Sequence, residues 1–348
     1  MVLTPLHTRM LTLRLSRAES GGVFADARIF DLRKRGIVPL AGKLQGPGVI
    51  HDMSVQLRVA GPDLRIQNIQ AAMSAFPFAP GPATRGEGCP DRLPDVQRLV
   101  GVSLRAHAEY GGRLMEQVGG PRGCFHVFTL LRLLGPTVEA AVDRERARPR
   151  DDGATASERA VGSPIFSRSV IVDGMKGEGL AIVLRGTLFD LHFRPGADTL
   201  PLEEEMEASC EATTDVEVAV PTMAITASTG RVRYSGANVE TVGAWQTVPT
   251  VGELVGRTMQ NGYTAQVQEV FRGSADLEAL QHLLFMLAPA LIQCFPSLME
   301  ELELRPRRAE GPHAAVDSCH MWRADGPLVR GTASESAKVK NQRAAEAG

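Results

Sequence analysis

The chain has no excess of positive charge: Lys plus Arg is 38 against 40 for Asp plus Glu, a formal charge of −2. With no basic surplus to release counterions from a phosphate backbone, nucleic acid is not an expected partner. Lysine is scarce, occurring only at Lys34, Lys43, Lys176, Lys338 and Lys340, so a Schiff-base lysine has few candidates. The arginine bias matches what a GC-rich genome would encode. Cysteine is sparse as well. Cys89, Cys124, Cys210, Cys294 and Cys319 are odd in number and widely spaced, which makes neither a disulfide framework nor a Cys-x-x-Cys zinc knuckle. A reducing cytoplasm is the expected setting. Long apolar runs are missing too. The most apolar stretch, Leu283 to Ile292, is interrupted by Pro289 and too short to span a bilayer. The segment Met1 to Ser20 carries His7, Arg9, Arg14 and Arg17 where a signal peptide needs an apolar centre. No membrane association is expected. The chain also lacks G-x-G-x-x-G, a Walker loop, H-E-x-x-H and G-x-S-x-G, so neither a nucleotide cofactor nor serine hydrolysis is indicated.

What is present is an ordinary globular composition, 43% hydrophobic over 348 residues, enough for two domains or one large one. Asp143 to Gly162 is dense in charge with almost no bulky apolar residue, and reads as a linker. Gly331 to Gly348 has the same character and is expected to be a disordered tail.

The segments on either side of the linker resemble each other. Leu99-Val100-Gly101 recurs as Leu254-Val255-Gly256, Gly120 corresponds to Gly273, and Leu134-Gly135-Pro136 to Leu287-Ala288-Pro289. Alternating or β-branched runs predict strands at 23–32, 50–59 and 64–73, then at 180–193, 206–220 and 223–234. Helical patterns follow at 96–118 and 124–142, and again over 251–304. Segregated strands and helices indicate an α+β fold. The expected organisation is a first copy over 1–142, a linker over 143–162, a second copy over 163–330 and a tail over 331–348. The two antiparallel-sheet-plus-helices units would pack as a pseudo-dimer within one chain. Pro136 and Pro289 should each kink or restart a helix.

The strongest local signal is Gly119-Gly120-Pro121-Arg122-Gly123-Cys124-Phe125-His126, a glycine-rich turn entering an apolar helix. Free amides, the helix dipole and Arg122 make it receptive to an anion, and would lower the pKa of a thiol at Cys124. Cys124 also shares a stripe with Val127, Phe128 and Leu131, which suggests packing. On a helix, Cys124 and His126 diverge and cannot form a nucleophilic dyad. His126 is either a satisfied core histidine or a site residue. By strand alternation His51 lies with Met53, Val55 and Leu57 on the apolar face, where it either bonds to backbone or lines a pocket, while Asp52 faces away. Near the end, Cys319-His320-Met321-Trp322 reads as an anchor for the C-terminal segment or as the roof of a cavity. A metal site would need three of His51, Cys124, His126, Cys319 and His320 to converge, and no short ligand spacing supports that.

Ile50-His51-Asp52-Met53, Leu99-Val100-Gly101 and Gly123-Cys124-Phe125-His126 together resemble the bacterial family known as domain of unknown function 2889, in two divergent copies. In that family the last motif usually reads Gly-Cys-Thr-His-Leu. The later Phe271-Arg272-Gly273, Leu287-Ala288-Pro289-Ala290 and Cys319-His320-Met321-Trp322 are similar to its closing part. The resemblance implies a setting in bacterial catabolism of aromatic or other apolar carboxylic compounds, and names no reaction.

The function expected from these residues is a cofactor-independent lyase or isomerase acting on an apolar small molecule, aromatic ones included. His126 and His51 would move the proton, and the turn at Arg122, Gly123 and Cys124, roofed by Trp322, would hold the substrate. A non-catalytic binding protein and a metal-dependent hydrolase are the alternatives. Since the second copy aligns Met206 with His51 and Ala279 with His126, chemistry is expected in the first copy alone. Glu278 and His282 are the residues that could contradict this.

Overall fold

Period-two apolar stripes this long need a sheet to bury them, and they find a single one. The computed structural model describes residues 3–40, 43–147, 159–195, 205–236, 243–260, 262–298 and 316–329. The first half contributes β1 (Thr4–Arg17), β2 (Val23–Arg33), a small hairpin of β3 (Val38–Leu40) and β4 (Lys43–Gln45), β5 (Gly48–Ala60) and β6 (Arg65–Ala75). Two helices follow, α1 (His107–Val118) and α2 (Phe125–Arg146). The second half supplies β7 (Pro164–Lys176), β8 (Ala181–Phe193), β9 (Met206–Ala219), β10 (Ala224–Ser235) and the short β11 (Gln246–Thr247), then α3 (Tyr263–Val270) and α4 (Glu278–Cys294).

The structure mixes helices with an antiparallel sheet, in line with the expected α+β class, with one difference in architecture. The halves do not build two sheets but share one antiparallel sheet of nine strands, in the order β11-β10-β9-β8-β7-β1-β2-β5-β6. Its central pair is β1 with β7, neither of which the sequence patterns predicted. In β1 the inward row runs His7, Arg9, Leu11, Leu13, Leu15, so two polar residues interrupt the apolar stripe. The interrupted segment Met1 to Ser20 is thus largely the core strand β1.

One face of the sheet is covered by helices. α2 packs on β2 and β5, and α4 crosses β7, β8 and β9 to reach β1. The core follows from alternation: in β2, Val23, Ala25, Ala27 and Ile29 point inward, with Asp31 and Arg33 after them on the same row. The opposite face is laced with ion pairs such as Arg28–Asp52 at 2.6 Å and Arg185–Asp215 at 2.8 Å. The segments Phe125–Arg146 and Glu278–Leu298 are long and apolar enough to cross a membrane, but most of each is buried inside the fold, as in core helices.

Both prolines sit within helices that continue through them, so neither helix restarts. Beside the first, Gly135 lets Tyr110 lie against α2: a Cβ there would come within 2.6 Å of the Tyr110 ring. The Tyr110 hydroxyl donates to the Leu131 carbonyl at 2.6 Å. The expected helix over 96–118 is shorter: a 3-10 segment ends at Leu99, and α1 begins at His107. The expected linker begins inside α2, and residues 148–158 lie outside the described residues. At its far end Ala160 to Gly162 are exposed and Arg159 is not. Arg159 is buried and donates to Glu145 at 2.7 and 3.0 Å, tying the two ends together. The expected tail, 331–348, also lies outside the described residues.

Candidate active site

Three adjacent strands each place a polar residue at one end of an apolar row, and the register brings these residues side by side. Arg9 of β1 pairs with Asp31 of β2, and Asp31 pairs with His51 of β5. The register shifts just after Asp31, so Leu32 faces Val49 and Ile50 is bulged out beside the site. His7 lies two residues before Arg9 on the same inward row. The first turn of α2 delivers His126 from above.

Asp31 is the hub of this cluster, with no exposed surface. Arg9 Nε and Nη2 donate to its two oxygens at 2.8 Å each, a bidentate fork. His51 Nδ1 donates to Asp31 Oδ2 at 2.9 Å. His126 Nε2 lies 3.2 Å from the same oxygen and 2.9 Å from Arg9 Nη2. Because a guanidinium can only donate, His126 Nε2 accepts from Arg9 and carries its proton on Nδ1. The rings of His51 and His126 are tilted at 4.0 Å between centroids. His7 Nε2 lies 3.1 Å from Asp31 Oδ1, but its angle falls outside hydrogen-bond geometry, so that contact is electrostatic only.

The charges follow from this arrangement. Burial alone would raise the Asp31 carboxyl, but the charge of Arg9 and hydrogen bonds from Arg9 and His51 outweigh it and hold it well below the usual range. Burial, helped by the fields of His51 and Arg9, pushes His126 down to about 3 against the pull of Asp31. Burial also lowers His7. The centre therefore holds one cation, one anion, and two imidazoles kept neutral.

His51 and His126, the expected proton carriers, do meet. Asp31, Arg9 and His7 were not anticipated, although a charged residue on an apolar row in adjacent strands was a readable sign. The other expected site residues lie elsewhere. Cys124 caps α2 with its Sγ 3.8 Å from Met53 Sδ, and burial pushes the thiol up to about 12 instead of down. Desolvation outweighs the helix dipole there. Arg122 is exposed and donates to the Glu116 carbonyl at 3.1 Å, while the Gly123 carbonyl accepts from the His320 amide at 2.8 Å. The turn therefore serves as a dock for the C-terminal segment. Trp322 and Cys319 pack in a satellite core with Phe78, Met321 and Leu328, which is the anchoring role. Arg323 clamps this segment to Glu87 at 2.7 and 2.8 Å.

The alternative metal reading, which needed three of His51, Cys124, His126, Cys319 and His320 to converge, does not assemble as such. Among the described residues, Asp31, His51 and His126 are the one group whose ligand atoms lie within 4.8 Å of one another. Arg9 fits poorly with an ion there. Its fork occupies both Asp31 oxygens, its Nη2 holds the His126 lone pair, and a guanidinium beside a dication is repelled.

Residues 7–140 match the model of a family described as Protein of unknown function (DUF2889). Over this segment, somewhat more than a third of the chain, the protein is similar to the DUF2889 family. The DUF2889 match begins at His7 and ends inside α2, so it takes in Arg9, Asp31, His51 and His126 together. No curated protein and no solved structure matches the chain.

Proposed function

We propose that the first half of the chain is a proton-transfer centre, a cofactor-independent lyase or isomerase for an apolar, aromatic or other small molecule. The observation that carries this reading is the His51–Asp31 pair. With Nδ1 held at 2.9 Å by a buried carboxylate, His51 is fixed in the tautomer that leaves Nε2 as the base, and Asp31 compensates the imidazolium that forms. His126, kept neutral against Arg9, stacks beside His51 and holds its ring. A cytoplasmic, bacterial setting belongs to the same proposal, supported by five cysteines that are all free.

The proposal includes an internal duplication. The DUF2889 match spans one half, and the sheet reads alike outward from the β1–β7 seam. A shift of 159 residues carries Arg9, Asp31 and His51 onto Arg168, Asp190 and Cys210, which pair across their strands in the same way. His282 of α4 also meets its arginine, through Nδ1 and Arg168 Nη1 where His126 uses Nε2 and Arg9 Nη2. The sequence comparison sets Met206 against His51 and Ala279 against His126; the strand register favours Cys210 for the first, and the contact with Arg168 favours His282 for the second. The second half thus retains a histidine but has a thiol where His51 stands, and burial pushes that thiol up to about 12. That supports chemistry in the first half.

A second reading, a metal-dependent hydrolase, is favoured by the close approach of Asp31, His51 and His126. One experiment separates the readings. The purified protein is incubated in D2O with a small-molecule panel and read by NMR for C–H exchange, beside native mass spectrometry. Exchange in the wild type that His51→Gln abolishes is the expected result. A retained small molecule without exchange would select a non-catalytic binding protein, and a stoichiometric retained ion would select the metal reading.

A further inference from the structure

The two arginine–aspartate–histidine clusters differ in one respect that bears on substrate. In the second, every guanidinium nitrogen of Arg168 is engaged. Nε and Nη2 donate to Asp190 at 2.7 Å each, and Nη1 reaches His282 and, at 3.5 Å, Thr137 Oγ1 of α2. In the first, Arg9 is 1% exposed and its Nη1 has no hydrogen-bond partner among the described residues. His7, 0% exposed on the same inward row, has none at either ring nitrogen. Its counterpart by the shift of 159 is Phe166, whose ring lies 5.6 Å from the Arg168 guanidinium carbon and asks for no partner. Unsatisfied buried donors cost about 1–3 kcal/mol each and call for a specific explanation. Here they gather beside the base of only one cluster.

We infer that Arg9 Nη1 and His7 form an oxygen subsite for a carbonyl group, and that the substrate is an enolisable carbonyl compound. This rests on the proton-transfer reading above. Charge balance selects the carbonyl over a carboxylate. Arg9 and Asp31 already cancel, and His7 and His126 are neutral, so a bound carboxylate would bury an uncompensated charge. A neutral carbonyl would not. In the reaction the C–H bond α to the carbonyl breaks and its proton forms an N–H bond on His51 Nε2. The C–H electron pair becomes the C=C bond, and the carbonyl π pair moves onto oxygen. The new enolate oxygen accepts from Arg9 Nη1 while the new imidazolium faces Asp31, so the net charge of the buried centre is unchanged throughout. Return of the proton to the same carbon gives exchange, and return to a conjugated carbon gives isomerisation.

The test uses 4-nitrophenol, an enol analogue that is chromophoric as its anion, with nitrobenzene as the control lacking the hydroxyl. Titration of the full chain is expected to show one nitrophenol bound per chain and much weaker binding of nitrobenzene. His7→Phe should weaken nitrophenol binding about tenfold, and Arg9→Lys tenfold to a hundredfold, the loss of one neutral or one charged hydrogen bond. His7→Phe places in the first cluster the ring that the second already accommodates, so its circular dichroism and melting should stay near wild type. No binding, two equivalents per chain, or unchanged affinity in both variants would each overturn the inference. His51→Gln separates the two proposals, since it should remove C–H exchange and keep the nitrophenol. Nitrophenol binding that depends on Arg9 and His7, with no exchange on any substrate, would sink the proton-transfer reading and leave the subsite standing.

Discussion

Acidification from pH 7 to pH 5 should destabilise the fold, and His126 sets the scale. In the unfolded chain its imidazole titrates near 6.5, and in the folded state burial pushes it down to about 3. Between those values the unfolded state binds a proton that the folded state refuses. Stability is therefore fully present above pH 6.5 and is lost as pH falls. Linkage over pH 7 to 5 gives a loss of about 2 kcal/mol from this one residue. His7, His282 and His320 are lowered in the same direction by burial, so each adds to the loss. Asp31 does not interfere in this window, because its stabilisation fades only below the unfolded carboxyl value near pH 4. The assay is urea unfolding by far-ultraviolet circular dichroism at pH 7, 6 and 5, for wild type and His126→Gln. The glutamine can still accept from Arg9 but does not titrate, so its pH 7-to-5 loss should be smaller by about 2 kcal/mol. Equal losses in both proteins would mean that His126 is protonated alike folded and unfolded, and the electrostatic account of the site would fail.

Two further perturbations probe the frame. Asp31→Asn leaves the buried Arg9 charge uncompensated and should cost about 3–5 kcal/mol in urea unfolding; a loss under about 1 kcal/mol would show that Arg9 reaches water. Gly135→Ala drives a Cβ to 2.6 Å from the Tyr110 ring and should cost about 1–3 kcal/mol, visible as a lower melting temperature. An unchanged melting temperature would mean that α1 shifts freely against α2.

Much of the sheet was legible because six strands obey period-two alternation with clear turns, as with β5 and β6 around Gly61-Pro62-Asp63. The two central strands were not. Their inward rows contain His7 and Arg9 in β1 and Arg168 in β7, so a reading that equates buried with apolar passes over them. Those same residues are the site. His51 and His126 could be picked out singly, as histidines on apolar faces, but their meeting depends on the cross-strand register and on where α2 lands. The glycine turn misled for a related reason: its amides and dipole are real, yet the C-terminal segment docks there and burial dominates at Cys124.

The seam between β1 and β7 also bears on how the chain comes to be folded. β1 is synthesised first, but its neighbour on one side is more than 150 residues away, as in the pairing of Thr8 with Asp173. During translation the first half can complete β1, β2, β5 and β6 with their helices, and then waits with one edge of β1 unpaired. That edge is long and regular, the sort that templates pairing with a neighbouring chain. Contacts of such sequence separation also form slowly. Nascent chains close together on one messenger would thus meet with complementary open edges, and chaperone dependence during expression should centre on the interval before β7 emerges.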